Sequence, residues 1–153
     1  MINVKKVLYA TDFSSYSNQA YFHAVALAEN HGASLTVLFV LSPGVAAPEA
    51  GGPAEDRSYW QEQLEQIRPI NENITTRHVL LEGDPAEEIV EHARESNTDL
   101  IVMGTHGRTG LERLLMGSVA EKVMREAPCS VLVVKLPKGV PVPEPHGVAV
   151  ATA

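Results

Sequence analysis

Five short apolar runs, each separated from the next by a stretch of helical periodicity, constrain the fold of this chain most strongly. The predicted strands are residues 4–10, 34–40, 75–81, 99–103 and 130–135. Strands that alternate with helices pair in parallel, because each crossover helix returns the chain to the same end of the sheet. The sequence therefore predicts an α/β fold with a single open, five-stranded parallel sheet and helices on both faces, which is a Rossmann-like arrangement.

The chain is long enough for one domain with a sizeable core, at 153 residues with 44% apolar and 20% charged residues. We expect this domain to occupy residues 1–136. Residues 137–153 form a tail in which four prolines favour an extended, flexible segment. Within the domain, the fourth helix is expected at about residues 118–126, with Val119, Val123 and Met124 buried.

Composition excludes several classes of partner. A net charge of −7 argues against a nucleic-acid-binding surface, which would be basic. No apolar run approaches the ~18 residues that a membrane-spanning helix needs, so no membrane partner is expected. The single cysteine, Cys129, excludes an internal disulfide framework and fits a reducing cytoplasm, and the first residues lack the apolar region of a secretory signal. We therefore expect a cytoplasmic protein.

The stretch from Met103 to Val119 carries the clearest sign of a binding site. An apolar run ends at Met103, and four glycines follow within fourteen positions, the last of them directly before Ser118. A strand that leads into a glycine-rich turn and then a helix is typical of phosphate sites, because backbone N–H groups and the helix N-terminus face the anion. Neither the Walker pattern nor the G-x-G-x-x-G fingerprint is present. A flexible loop whose glycines only permit sharp turns is the alternative.

The spacing Gly104-x2-Gly107-x9-Gly117-Ser118 matches the G-2x-G-9x-G-[ST] motif of the ATP-binding branch of the universal stress protein family. Residues 7–14 also resemble that family's first strand and acidic turn, and residues 127–134 resemble its last strand. The resemblance implies the strand order 3-2-1-4-5, ATP as the ligand and a homodimer. A divalent ion such as Mg²⁺ could accompany the triphosphate, since it needs only one or two protein ligands.

The resemblance also implies a set of nucleotide-binding residues at the ends of the first, second and fourth strands and in the glycine-rich stretch. The set comprises Ala10, Thr11, Asp12, Val40, Met103, Gly104, His106, Gly107, Arg108, Gly117, Ser118 and Val119. In this arrangement Asp12 accepts hydrogen bonds from the ribose hydroxyls. The backbone of Val40 contacts the adenine ring, and Ser118 contacts a phosphate at the start of a helix.

Several of these residues have a structural interpretation that the sequence leaves open. Asp12, Ser14 and Ser15 are each suitable N-caps for the first helix, so Asp12 could be only a cap, and Ser118 is a suitable N-cap for the fourth helix. Val40 is equally well explained as a core residue at a strand end. From the residues alone, His106 is better explained as a solvent-exposed loop histidine than as a phosphate contact or a general acid.

The predicted function is that of an ATP-binding, stress-response regulatory protein in which bound nucleotide tunes conformation or partner choice. No catalytic residue and no metal site are predicted from the motifs. One alternative is a slow nucleotide hydrolase that uses the same pocket, and another is a dimerisation module that does not bind nucleotide. The homodimer is expected to form through Ser130–Val134, because an apolar strand at a sheet edge needs a partner. The alternative is a monomer in which the proline-rich tail folds back and residues 148–150 cover that edge.

Overall fold

The computed structural model describes residues 3–42, 53–106 and 116–135, with the side chains of residues 53–56 left out. Strands and helices alternate strictly through these residues. The elements are β1 (Lys6–Ala10), α1 (Ser15–His31), β2 (Ser34–Leu41), α2 (Pro53–Glu65), β3 (Thr76–Glu82), α3 (Pro85–Glu95), β4 (Leu100–Gly104), α4 (Ser118–Glu126) and β5 (Ser130–Val134). All five predicted strands are present, and their ends differ from the prediction by no more than two residues. The tail predicted at residues 137–153 lies outside the described residues.

The five strands form one parallel sheet in the order β3-β2-β1-β4-β5, which confirms the predicted fold class and strand order. At its centre, Val7 of β1 pairs with Leu35 on one side and with Leu100 on the other. The chain moves outward in one direction from β1 to β3 and then returns to place β4 on the other side of β1. Strand order therefore reverses between β1 and β4, and ligands of open α/β sheets bind beyond the carboxyl ends of strands at such a point.

Neighbouring residues of each central strand enter two different cores, one on each face of the sheet. On one face, Tyr9 packs in a cluster with residues of α1 and α2. On the other face, Leu8 packs with residues of α3 and α4. Side chains alternate between the faces of a strand, so a strand that is covered on both faces is apolar throughout. This double coverage explains the continuous apolar runs in the sequence.

The ends of α1 and α3 follow from local sequence. Ser14 is the N-cap of α1, and Gly32 ends that helix in the left-handed conformation, with φ +64°. Asp84 is the N-cap of α3, and its side chain accepts a hydrogen bond from the N–H of Glu87. Pro85 occupies the first turn, where a missing N–H costs nothing. Because α1 follows β1 and α3 follows β3 after a short turn, both helices begin at the carboxyl edge of the sheet.

One prediction about α4 is wrong. Met124 was expected in the core, but 48% of its surface is exposed. The helix buries Ala120 and Val123, which are three residues apart on one side, and Val119 is only half-buried. Because successive helical residues are 100° apart, Met124 is turned away from this narrow stripe. Across the described ranges, no helix is long and apolar enough to cross a membrane.

Candidate functional site

A cavity of about 240 Å³ opens beyond the carboxyl ends of β1, β2 and β4, at the point where the strand order reverses. Ten of the twelve residues predicted to bind nucleotide lie in its wall. They are Ala10, Thr11, Asp12, Val40, Met103, Gly104, His106, Gly117, Ser118 and Val119. The remaining two, Gly107 and Arg108, lie outside the described residues. The fold thus brings together residues that are more than 100 positions apart in the sequence.

The wall also contains residues that sequence reasoning missed. Pro85 and Ile89 of α3 line the cavity, and so does Ser42 after β2. Pro85 and Ile89 are four residues apart, so they lie one turn apart on the same side of the helix. The sequence order could have predicted these two residues, since α3 begins directly after β3 and therefore starts at the same edge of the sheet as the cavity. Together with Leu38 of β2 they contribute apolar residues to the cavity wall.

Asp12 lies half-buried in the turn between β1 and α1. Its Oδ1 accepts a hydrogen bond from the N–H of Ser14, at 3.0 Å. The cap of α1 is instead Ser14, whose Oγ accepts from the N–H of Ser17 at 3.3 Å. The interpretation of Asp12 as the helix cap is therefore wrong. Its carboxylate fixes the turn before the helix and at the same time contributes to the cavity wall.

The N-terminus of α4 also faces the cavity. Its N-cap is Gly117, which has no side chain to accept a hydrogen bond, so the interpretation of Ser118 as the cap is wrong. The N–H groups of Ser118, Val119 and Ala120 have no acceptor within the helix, and these three residues line the cavity. The partial positive charge of a helix N-terminus favours an anion there.

Short backbone hydrogen bonds fix this helix start to the sheet. The N–H of Gly117 donates to the carbonyl of Thr105 at 2.6 Å, and the N–H of Thr105 donates to the carbonyl of Val134 at 3.1 Å. The first residue after β4 therefore connects α4 on one side to β5 on the other. The helix N-terminus keeps a defined position relative to the strand ends.

Gly104 and His106 both pack against Tyr16 of α1. A Cβ atom on Gly104 would lie 2.6 Å from the carbonyl oxygen of Tyr16, a distance that real contacts do not show. The His106 ring lies with its centroid 5.2 Å from that of Tyr16, and its Nδ1 is 3.2 Å from Oγ1 of Thr105. His106 is half-buried, so the interpretation of a fully solvent-exposed histidine is wrong. Both residues lie in the cavity wall.

Ionisable side chains are few in this wall. Among its described residues they are Asp12 and His106, and no lysine or arginine accompanies them. Elsewhere in the described part of the chain, no group of three or more histidine, cysteine or acidic side chains is placed to hold a metal ion. Cys129 is not among the residues of the cavity wall, and burial raises the pKa of its thiol above the usual value. A thiol with a raised pKa is a poor nucleophile at neutral pH.

Fold and cavity together define a doubly wound α/β protein with a ligand-sized cavity at its topological switch point. The model of the Universal stress protein family matches residues 3–135. The chain therefore belongs to the universal stress protein family.

Relatives and solved structures agree with this assignment. A universal stress protein of Methanocaldococcus jannaschii is 41% identical over 145 residues, which cover 88% of this chain and 84% of that protein. A universal stress protein from Lactobacillus plantarum has the same fold, with a TM-score of 0.74 at 24% identity over 86% of this chain and 98% of that one. A universal stress protein solved in complex with cAMP is 26% identical, with a TM-score of 0.63 over 86% of this chain and 97% of that one.

Proposed function

We propose that the protein binds an adenine nucleotide, and specifically ATP, in the cavity beyond β1, β2 and β4, and that the bound nucleotide tunes its conformation or its choice of partner. One observation carries the proposal. A carboxylate, that of Asp12, and an anion-favouring helix N-terminus, that of α4, lie in the wall of one cavity. A nucleoside phosphate carries hydroxyl donors on its ribose and anionic oxygens on its phosphates, which matches this pair of groups.

The remaining wall suits the base. The apolar residues Leu38, Pro85 and Ile89 accommodate the adenine ring, while the backbone of Val40 at the end of β2 is available to its polar edge. Asp12 then accepts from the ribose hydroxyls. The relative that was solved with cAMP supports an adenine ring and a ribose phosphate as the recognised parts.

The phosphates would lie at the start of α4. There the N–H groups of residues 118–120 donate to phosphate oxygens, and the Ser118 hydroxyl is available as a further donor. A Mg²⁺ ion would arrive on the triphosphate, and oxygens of Ser118 or Asp12 are ligands of the type it prefers. The roles of Gly107 and Arg108 in holding the phosphates stay predictions.

Calorimetry with ATP, ADP and AMP tests the proposal, with Gly117→Asp as the decisive variant. Gly117 has φ −72° and ψ 164°, a conformation that any residue adopts, and aspartate is a preferred N-cap. The new carboxylate would accept the N–H groups that the phosphate needs and would also repel the phosphate. We expect the variant to fold with unchanged or slightly higher stability and to lose ATP binding.

Gly117→Asn is the matched control, because its amide oxygen also caps the helix but adds no charge. It should weaken ATP binding less than Gly117→Asp does. If the wild-type protein gives no binding heat with ATP, ADP or AMP, the proposed function is wrong. Equal affinity of Gly117→Asp and the wild-type protein would mean that the phosphates lie away from α4.

A further inference from the structure

Ser17, in the first turn of α1, is a buried hydroxyl residue in the cavity wall that the site prediction did not include. Only 3% of its surface is exposed. Tyr9 of β1 helps to fix the position of Ser17, because the Tyr9 hydroxyl donates to the Ser17 carbonyl at 2.7 Å. A buried hydroxyl at a cavity wall needs hydrogen-bond partners, and three contacts of the Ser17 hydroxyl are to the turn that carries Asp12.

The Ser17 hydroxyl connects three parts of that turn. It donates to the Ser14 carbonyl at 3.0 Å, lies 3.2 Å from Oγ1 of Thr11, and accepts from the N–H of Asp12 at 3.4 Å. A hydroxyl has one proton, and that of Ser17 goes to the Ser14 carbonyl. With that proton donated to the Ser14 carbonyl, the Thr11 hydroxyl is the donor in its contact with Ser17, although either hydroxyl can donate at this distance. The backbone on both sides of Asp12 is thus held through one oxygen atom.

The conformation of the turn requires this support. Phe13 has φ +65°, in the left-handed region that bulky side chains rarely adopt. Its N–H donates to the Thr11 hydroxyl at 3.0 Å, and its ring packs on those of Phe39 and Trp60. Strained residues persist where the surroundings over-determine them, and they concentrate at ligand sites. Here the strained residue, Phe13, directly follows Asp12 in the chain.

We infer that Ser17 is a positioning residue: its hydroxyl holds the turn of residues 11–14 in the strained conformation that directs the Asp12 carboxylate to the ribose hydroxyls. The inference rests on the proposed nucleotide site for the identity of the ligand. It assigns a specificity role to a residue whose own effect is exerted through Asp12. Without the Ser17 hydroxyl, the Asp12 N–H and the Thr11 hydroxyl lose their common partner, and the turn relaxes.

Comparison of ATP with 2′,3′-dideoxy-ATP in Ser17→Ala tests the inference, because the second ligand lacks the hydroxyls that Asp12 would accept from. The wild-type protein should prefer ATP. In Ser17→Ala we expect ATP affinity to fall by roughly fivefold to 30-fold, which is less than the full loss of a hydrogen bond to a charged group because Asp12 itself remains, and dideoxy-ATP affinity to stay unchanged. A purely structural role would lower both affinities by the same factor, and that result, or no change in either, overturns the inference.

Ser14→Ala is the matched control. It removes another hydroxyl from the same turn and the cap of α1, but it leaves every contact of the Ser17 hydroxyl in place, including that with the Ser14 carbonyl. This variant should lose stability while it keeps the wild-type preference for ATP over dideoxy-ATP. Loss of the preference in Ser14→Ala as well would assign the effect to α1 in general and overturn the role of Ser17.

A measurement without ligand separates this inference from the proposed function. The Ser14 N–H donates to Oδ1 of Asp12, so its hydrogen exchange reports on the position of that carboxylate. In ligand-free Ser17→Ala we expect the Ser14 amide to exchange at least about tenfold faster, while amides of β1 keep their rates. An unchanged Ser14 rate overturns the inference even if ATP binds. Faster exchange in a protein that binds no ATP would retain the positioning role and reject the proposed function.

Discussion

Gly104 at the end of β4 lies so close to the Tyr16 carbonyl oxygen of α1 that an added Cβ atom would be 2.6 Å from it. The obstructing atom belongs to the backbone of a helix that packs across β1 and β4, so it cannot move without moving that helix. We therefore predict that Gly104→Ala destabilises the protein by about 2–3 kcal/mol, toward the upper end for overpacking of a core. Chemical denaturation measures the change in the free energy of unfolding.

Gly32→Ala is the control for Gly104. Gly32 also requires glycine, but for its φ of +64°, and no atom lies within 4 Å of its added Cβ. Its replacement should cost about 1–2 kcal/mol through backbone strain alone. If Gly104→Ala is no more costly than Gly32→Ala, the close approach to Tyr16 is not what requires a glycine at the end of β4.

Asp12→Ala should lower ATP affinity by about 1.5–3 kcal/mol, because a hydrogen bond to a charged group would be lost. The same variant also loses the acceptor for the Ser14 N–H, which costs about 1 kcal/mol of stability. Asp84→Ala is the control, since Asp84 also accepts a hydrogen bond from a backbone N–H, here as the N-cap of α3, and is outside the cavity wall. Calorimetry should show normal ATP binding for Asp84→Ala, and unchanged binding in Asp12→Ala would exclude a ribose contact.

The sheet could be predicted because the sequence signals that identify its strands and the helices between them are local. Apolar runs of strand length, Gly32 after one helix and the Asp84-Pro85 pair before another identify the elements, and strict alternation then requires a parallel sheet. The strand order came from the family resemblance rather than from periodicity. Given that order, the rule that ligands lie at the switch point placed the turns after β1 and β4 at one crevice, and Asp12 and Gly117 do lie in the wall of one cavity.

The features that could not be predicted from the sequence depend on contacts between residues that are distant along the chain. Nothing near Gly104 indicates that Tyr16, 88 residues earlier, makes a side chain at that position impossible. Likewise, Asp12 and Ser14 are both good helix caps by residue type, and only the hydrogen bonds distinguish them. Ser17 was missed because a serine in the first turn of a helix is common, and its burial depends on β1 beneath it.

Trp60 should report on the occupied site. It is the single tryptophan of the chain, and its ring stacks on Phe13 with centroids 5.1 Å apart and planes 29° from parallel. Because Phe13 directly follows Asp12, a ligand that engages Asp12 should shift this stack and alter the indole fluorescence. We expect an ATP titration to change the emission with the same dissociation constant as calorimetry. Unchanged emission at saturating ATP would mean that α2 does not sense the site.

Turnover of bound ATP should be very slow, well below the ~1 s⁻¹ at the lower end of protein kinases. Phosphoryl-transfer sites use a residue that activates or orients the nucleophile, and Asp12 is the one carboxylate among the described residues of this wall. Asp12 is occupied with the Ser14 N–H and, by the proposal, with ribose. A phosphate-release assay measures the rate. Several turnovers per second that disappear in His106→Ala would instead identify an enzyme.

The final prediction is a homodimer formed through β5. This strand lies at one edge of the sheet, and β4 is its neighbour on the inner side. Val131, Leu132 and Val133 are only partly buried in the single chain, so the edge is apolar and incompletely covered. Pairing with β5 of a second copy about a two-fold axis would satisfy the outward N–H and C=O groups and cover these side chains.

Sedimentation equilibrium on the wild-type protein and on Val133→Lys tests this dimer. A lysine at position 133 would place a positive charge at the pairing edge, and the two-fold axis would bring a second one next to it. Because like charges repel there, we expect the variant to be monomeric. Val79→Lys is the matched control, because Val79 lies on β3 at the opposite edge and, like Val133, is partly buried against the same core cluster. Any loss of stability from a lysine beside that core affects both variants. A dimer that survives Val133→Lys but dissociates in Val79→Lys would show that the subunits join through β3 instead.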